Sequence, residues 1–490
     1  MTQRFHIRSY GCQMNAHDSE KVANLLHHAG FSRADDEASA DLVVVNTCSI
    51  REKAEHRLYT DLGILRLWKA ERPGRMIGIG GCVAQQEGDS LLRRYPQIDF
   101  AFGTHNVRFV PEMVAAAAAG QREARFADDL SLARFELPER HPGYAPETPG
   151  RAYLTVMEGC DLFCSFCIVP LTRGREISRP AAAILAEARE LAAHGVRELT
   201  RLGQTVNAYG RHDVRRGRTA ATGTLAFGDL LRALAEIPGI ERLRYTSPHP
   251  IFFDEALVRA HAELPQLCPH VHMPVQSGSD RMLGAMRRRY TAAEYRAIAE
   301  ALRRARPDIA LTTDVIVGHP GETRADFEAT LALIREIGFV DSYSFKYSAR
   351  PGTASALLPD AVAPEESQAR LAELQELQGQ LTYAAHRARV GTRTCVLVEG
   401  ASRRGQAGSE GVPLQGRDPY HRVVNFRAQG ERVPAPGSLV ELEIVEATPH
   451  SLIGSLSLRA STGRDDSLSA EPVPVNRSPR AADEPARSAA

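Results

Sequence analysis

The first 120 residues alternate short apolar runs with stretches whose apolar positions recur at helical spacing. Residues 5–9 read as a strand, followed by a helix over 18–29. DLVVVN at 41–46 is apolar throughout, as in a strand buried on both faces, and a helical stretch runs from 50 to 69. MIGI at 76–79 and IDFAFG at 98–103 repeat the pattern, with helical segments near Leu91 and over PEMVAAAAA. Buried strands separated by helices predict an open parallel α/β domain over residues 3–120.

Residues 121–145 carry charge and proline and read as a linker. The strand/helix rhythm resumes at Tyr153 and runs to about residue 350. RELTRLGQTVN, RLRYTSP, VHMPVQSG, IALTTDVIVGHPGE and DSYSFKYSARPG each look like a strand ending in a polar or glycine-containing turn. Such repeated βα units predict a full or partial (β/α) barrel over residues 146–380, closed by a Glu-, Gln- and Leu-rich helix at 364–388. Beyond Thr392 the period changes to two. TCVLVEG, RVVNFRA, SLVELEIVEATPH and SLIGSLSL predict a small all-β barrel over residues 383–458. Residues 461–490 lack apolar periodicity and read as a disordered tail.

A length of 490 residues suits three domains. Lys+Arg and Asp+Glu each total 60, so no global field draws the chain to nucleic acid or membrane, and such binding must use local patches. No signal-peptide core and no apolar run of about 20 residues occurs, which places the chain in the cytoplasm without a membrane partner. Thiols stay reduced there, and clustered cysteines bind metal more often than they pair.

The stretch MEGCDLFCSFC at 157–167 spaces Cys160, Cys164 and Cys167 as C-x3-C-x2-C. It follows the strand-like YLTVMEG, which puts it at the C-terminal mouth of the barrel, where barrel active sites lie. Structural zinc closes its shell with four ligands, and an electron-transfer cluster takes four cysteines. No fourth Cys or His lies within a few residues, so three thiols leave a position for a small molecule. Cys12, Cys48 and Cys82 form a second set. RSYGC, VVVNTC and IGIGGC each place Cys just past a strand end, and such ends line one edge of a parallel sheet. Gly11, Gly80 and Gly81 allow close backbone approach there. The plainer alternative, three ordinary buried cysteines, does not account for the matched placement. Cys268 and Cys395 lack such settings and read as structural.

The C-x3-C-x2-C spacing, with Phe166 before the last cysteine, resembles the radical S-adenosylmethionine (SAM) superfamily. The resemblance implies that Cys160, Cys164 and Cys167 hold a 4Fe–4S cluster whose open iron takes SAM, which reduction cleaves to a 5′-deoxyadenosyl radical. With its N-terminal domain and terminal β-barrel the chain resembles the methylthiotransferases. NTCSIREKAEHR at 46–57, SYSFKYSARPGTASA at 342–356 and GRDPYHRVVNF at 416–426 resemble the MiaB-type tRNA enzymes, and the likeness covers roughly residues 3–458. It implies a second 4Fe–4S cluster on Cys12, Cys48 and Cys82. It also implies methylthiolation of C2 of N6-isopentenyladenosine beside the anticodon of tRNA. A sulfur source and an electron donor are further partners, which sequence does not identify. The terminal barrel resembles a TRAM domain. His319 in VGHPGE stands where the family usually has Phe. The alternatives are methylthiolation of a ribosomal-protein aspartate or of threonylcarbamoyl-adenosine, and a non-catalytic RNA-binding iron–sulfur redox sensor. The last gives no reason for the missing fourth ligand.

Four further residues are candidate SAM contacts. Gln204 and Asn207 in LGQTVNAYG touch cofactor or substrate, or else cap a βα turn. Ser277, with Gly278, in MPVQSGSD approaches the cofactor, or the segment is a helix N-cap. Gly318 in IVGHPGE belongs to a Gly/Pro turn that the resemblance places beside the SAM adenine. The basic runs RHDVRRGR (211–218) and RRRY (287–290) are solvated faces or tRNA phosphate contacts. Arg403, Arg404, Arg417, Arg422 and Arg427 of the terminal barrel are candidate RNA contacts.

Overall fold

The structure is a computed structural model. It describes residues 2–49, 52–129, 131–142, 148–211, 225–402, 411–429 and 433–456. Strands β1 (Arg4–Tyr10), β2 (Ser32–Arg33), β3 (Leu42–Thr47), β4 (Met76–Gly81), β5 (Phe100–Phe102) and β6 (Glu123–Arg125) form one parallel sheet in the order β2-β1-β3-β4-β5-β6. Strand β3 shows why this sequence forms it. Successive side chains point to opposite faces. Leu42 and Val44 pack into one apolar layer with Phe5 and Leu26, and Val43 and Val45 into the other with Leu58 and Leu62. With both faces covered by helices, the strand is apolar without a break. Chain direction around the sheet reverses between β1 and β3, and crevices for ligands open at such switch points beyond the strands' carboxyl ends.

The stretch read as a linker holds more structure than expected. Strand β6 extends the sheet past residue 120, and residues 131–142 pack along the helix Gln13–His28, where Asn24 donates to the carbonyls of Pro138 and Glu139, both at 3.2 Å.

The central domain is a partial barrel. β7 (Arg151–Thr155), β10 (Glu198–Leu202) and β11 (Arg242–Tyr245) are parallel, as are β12 (His270–His272), β13 (Ala310–Val317) and β14 (Asp341–Lys346). A single parallel bridge, Leu243 to Leu267, joins the halves. A short antiparallel pair, β8 (Met157–Glu158) and β9 (Ile177–Ser178), brackets the cysteine loop. Among the described residues no helix is long and apolar enough to cross a membrane.

The terminal barrel closes as β15-β16-β17-β19-β18, from β15 (Arg393–Ala401), β16 (Val412–Arg417), β17 (Val423–Ala428), β18 (Leu439–Ala447) and β19 (Leu452–Leu456). Only four of these strands were expected. Pro413 and Gly416 make VPLQGR read as a turn, since proline offers no N–H to a ladder. This barrel docks on the N-terminal ends of the central strands, opposite the cysteine loop. Arg242 donates to the carbonyls of Arg417 (3.0 Å) and Cys395 (2.6 Å). Arg244 donates to those of Pro419 (2.9 Å) and Asp418 (2.8 Å). Glu198 takes both arginines, at 3.5 and 3.1 Å. Arg417 and Arg422, offered as RNA contacts, are engaged within the barrel. Arg417 pairs with Glu399 at 3.0 Å, and Arg422 pairs with Asp418 at 3.5 Å and lies over the Tyr420 ring. Arg427 donates to the Gly411 carbonyl at 2.9 Å. Arg403, Arg404, most of the run at 211–218 and the tail at 461–490 lie outside the described residues.

Candidate functional site

The three N-terminal cysteines sit at level strand ends. Tyr10 pairs with Thr47, and Thr47 with Gly81, so the chain leaves β1, β3 and β4 side by side. Cys12 is the N-cap of the helix Gln13–His28, Cys48 follows Thr47, and Cys82 opens the helix Cys82–Glu87. Gly11 makes this arrangement possible. It has φ 121°, and a Cβ there would stand 2.1 Å from the Cys48 Cβ. Asn46 and Asn15 lock the neighbouring loops. Asn15 donates to Asn46 Oδ1 at 3.1 Å, and Asn46 donates to the Asn15 carbonyl at 2.9 Å. A hydrogen bond with Cys48, helped by the charge of Arg173, lowers the Cys12 thiol to about 6 against the effect of burial. Burial raises the Cys82 thiol.

The second set lies on the loop between β8 and β9. Cys160 N–H donates to Gly174 O (3.2 Å), Cys167 N–H to Cys164 O (3.0 Å) and Ser165 N–H to Met286 O (3.1 Å). Phe163 turns the loop with φ 51° and lies half exposed beneath the Arg175 guanidinium. Cys160 Sγ is 3.2 Å from Thr205 Oγ1, and buried Arg288 donates to Cys164 Sγ at 3.5 Å. Burial pushes Cys160 up to about 11 and Cys167 to about 12, and the neighbouring thiols add to both.

The four candidate SAM contacts divide. Gln204 is at the loop: its Oε1 accepts from Gly159 N–H at 2.5 Å, and its Nε2 is buried with no partner among the described residues. Asn207 spends both ends of its amide on the His249 backbone, at 3.0 and 2.8 Å. Ser277 is fully buried against Thr330 Oγ1 at 3.2 Å, and it is Ser279 that caps the helix Asp280–Ala285. Gly278 is required by packing, since a Cβ there would stand 2.5 Å from the Ala329 carbonyl oxygen. Gly318 packs against Ser367, and its N–H donates to Glu322 at 2.7 Å. These three candidates thus carry packing and turn contacts. RRRY divides: Arg288 is buried and reaches Cys164, whereas Arg287 and Arg289 are exposed, with Arg289 donating to Leu162 O at 3.3 Å.

His319 is connected to the cysteine loop. Ser165 donates to Ala285 O (2.7 Å) and Ser355 donates to Ser165 Oγ (2.8 Å), which leaves His319 Nε2–H to donate to Ser355 Oγ (2.8 Å). Thr205, Glu158 and Arg173 were not singled out from sequence, and Arg288 was read only as part of the basic run RRRY. The available signal was position alone: Glu158 precedes the first cysteine of the loop and Arg173 follows the last.

Among the described residues no three His, Cys, Asp or Glu side chains stand at metal-ligand spacing. The fit of a cluster therefore rests on the donors. Cys160 and Cys167 are each held up by burial and by the neighbouring thiols, and metal binding needs thiolates. A cationic metal centre supplies the charge that would let them ionise together. Around Cys48, Thr47 Oγ1 and Ser49 Oγ are buried without partners among the described residues, which suits a further acceptor beside that thiol. Both sets fit the group.

Residues 4–103 match the model of the Uncharacterized protein family UPF0004, and residues 154–334 match the Radical SAM superfamily. The tRNA-2-methylthio-N(6)-dimethylallyladenosine synthase of Geobacter metallireducens is 46% identical over 454 residues, 92% of this chain and 98% of its own. Those of Cereibacter sphaeroides (47%, covering 92% and 98%) and Stutzerimonas stutzeri (45%, covering 93% and 100%) are similar at the same level. The radical SAM methyltransferase TsrM of Kitasatospora setae superimposes with a TM-score of 0.53 over 73% of this chain and 75% of its own, at 16% identity, a likeness of fold alone. By these near full-length identities, the chain belongs to the family of tRNA-2-methylthio-N(6)-dimethylallyladenosine synthases, built on a radical SAM domain.

Proposed function

We propose that this protein methylthiolates C2 of N6-isopentenyladenosine, beside the anticodon of tRNA. The observation that carries the reading is the pairing of two cysteine triads at C-terminal strand ends of adjoining sheets, in a chain that matches such synthases end to end. In this reading Cys160, Cys164 and Cys167 hold the SAM-binding 4Fe–4S cluster, and Cys12, Cys48 and Cys82 hold a second one. The chemistry these cofactors supply when bound is reductive cleavage of SAM and delivery of a methylated sulfur.

The chain's own residues set the stage for it. Thr205 and Arg288 hold Cys160 and Cys164 in place, with contacts to their sulfurs at 3.2 and 3.5 Å. The unpartnered Nε2 of Gln204 would be available to SAM. The adenine must be splayed from its stack to reach the loop, which single-stranded anticodon loops allow at modest cost. Domain limits of 3–120, 146–380 and 383–458 accompany the reading, with the terminal barrel as a TRAM-like RNA-binding module. An electron donor and a sulfur source complete the partners.

Mass spectrometry of tRNA nucleosides from a deletion strain tests this. Loss of the 2-methylthio group from isopentenyladenosine, restored by the intact gene, is the expected result. Unchanged isopentenyladenosine with loss of methylthiolation on threonylcarbamoyl-adenosine or on a ribosomal-protein aspartate would overturn it.

A further inference from the structure

Arg173 belongs in sequence to the SAM-site loop but in space to the other cysteine set. It follows the helix Val169–Thr172, and its side chain is 3% exposed. Nη2 donates to Asp18 Oδ2 at 2.6 Å, and Nη1 is buried with no hydrogen-bond partner among the described residues. The helix Val169–Thr172 that precedes Arg173 packs against the helix Cys82–Glu87, which Cys82 opens. Its backbone is clamped from the N-terminal domain: Thr104 Oγ1 donates to Thr172 O at 2.6 Å and His105 Nε2 to Arg173 O at 2.8 Å.

A line of buried charge continues from it. Lys21 lies 3.5 Å from Asp18 and 3.2 Å from Glu158, and Arg134 lies 3.5 Å from Glu158, which stands just before Gly159 and Cys160. Along this line three cations face two carboxylates, and Asp18 is shared between Lys21 and Arg173. Arg173 thus shares its one carboxylate with Lys21, and its Nη1 is left over. An anionic group on the neighbouring thiols would give that buried cation a second partner.

We propose that Arg173 is a positioning residue that supplies the balancing positive charge for an anionic iron–sulfur group on Cys12, Cys48 and Cys82, and that it ties this site to the SAM-site loop. The inference rests on the reading of those cysteines as cluster ligands.

The test uses full-length protein carrying Cys160→Ala, Cys164→Ala and Cys167→Ala, so that one cluster remains, and reads its midpoint potential by EPR-monitored redox titration. Reduction adds negative charge, so Arg173→Gln is expected to lower the reduced-to-oxidised ratio at fixed potential about tenfold, roughly 59 mV for one electron. Arg173→Lys keeps the charge and should stay within threefold of the parent. Asp18→Asn removes a negative charge and should shift the potential the opposite way. Shifts of the same sign for Arg173→Gln and Asp18→Asn, or no shift in either, overturn the proposal. If Arg173→Gln retains no cluster, the Lys and Asn variants still decide it by the same signs. Iron absent from the parent itself would instead remove the ligand reading, and the proposal with it.

Discussion

Replacing Arg244 with Ala tests whether buried charge fixes the terminal barrel to the base of the central one. Arg244 is 6% exposed. It holds Glu198 at 3.1 Å and the carbonyls of Pro419 and Asp418 at 2.9 and 2.8 Å. Hydrogen bonds to a charged group contribute about 1.5–3 kcal/mol each, but bonds made by one side chain do not add. Removing one partner of a buried ion pair costs about 3–5 kcal/mol. Glu198 keeps Arg242 at 3.5 Å, so the low end applies, about 3 kcal/mol. At about 1.4 kcal/mol per decade, the joint then opens roughly 100-fold more often. Hydrogen exchange of the Asp418 and His421 amides, in the loop that Arg244 holds, reads this. They should exchange roughly 100-fold faster while β3 is unchanged. SAM cleavage by the loaded enzyme should stay within about twofold, because the cysteine loop leaves the other ends of the strands. Exchange at these two amides within threefold of the parent would refute the reasoning. Acid gives a second reading. Burial raises Glu198, but Arg244, Arg242 and Arg151 outweigh it and leave its carboxyl below the ordinary value. Such a group contributes its full stability above the unfolded-state value and loses it as pH falls through the folded one. The joint should therefore be intact at neutral pH and loosen on acidification, and the alanine variant should show less of that dependence.

Three other outcomes are expected. Cys164→Ala should keep iron at the N-terminal site and form no 5′-deoxyadenosine, as measured by chromatography of the reconstituted protein; normal SAM cleavage would remove this thiol from the SAM site. A Cys12→Ala, Cys48→Ala, Cys82→Ala variant should still form 5′-deoxyadenosine, with iron content lower by about one cluster per chain and no methylthiolated nucleoside; continued methylthiolation would make those cysteines structural. Arg201 predicts the opposite sign to Arg244. It is fully buried, none of its guanidinium nitrogens has a partner among the described residues, and burial lowers its pKa to about 9. A buried guanidinium without a partner lowers stability, and arginine stays charged across the working pH range. Arg201→Leu should therefore stabilise the cluster-free protein by about 1–4 kcal/mol at neutral pH, read by thermal melting. Destabilisation by Leu would mean that the guanidinium has a partner.

The strand ends that carry Cys12, Cys48 and Cys82 were legible because their signals are local. RSYG, VVVNT and IGIGG are each a strand-like run that a small or polar residue stops just before the thiol. The arginines were not legible, because a charge in sequence does not name its partner. Arg173 finds Asp18 across 155 positions and Arg288 finds Cys164 across 124. RELTRL and RLRY alternate polar and apolar residues as half-solvated strands do, yet Glu198, Arg242 and Arg244 face a second domain. β16 was missed for a different reason, since Pro413 and Gly416 have turn chemistry that barrel closure overrides.

That joint bears on how an RNA role for the terminal barrel can be tested. Cutting the chain near Ala388 removes the carbonyls of Cys395, Arg417, Asp418 and Pro419, which Arg242 and Arg244 occupy. Glu198 and both arginines would then face water, and the base of the central barrel would lose its cover. Weaker tRNA binding by such a fragment has two sources, lost contacts and a disturbed barrel. Charge-reversing substitutions on the barrel's outer strands, away from the 416–422 joint, isolate the first. If the barrel contacts phosphates, each reversal should weaken tRNA binding and reduce its salt dependence together, because each lost contact releases fewer counterions. A drop in affinity with an unchanged salt slope would trace the fragment's weakness to the uncovered base.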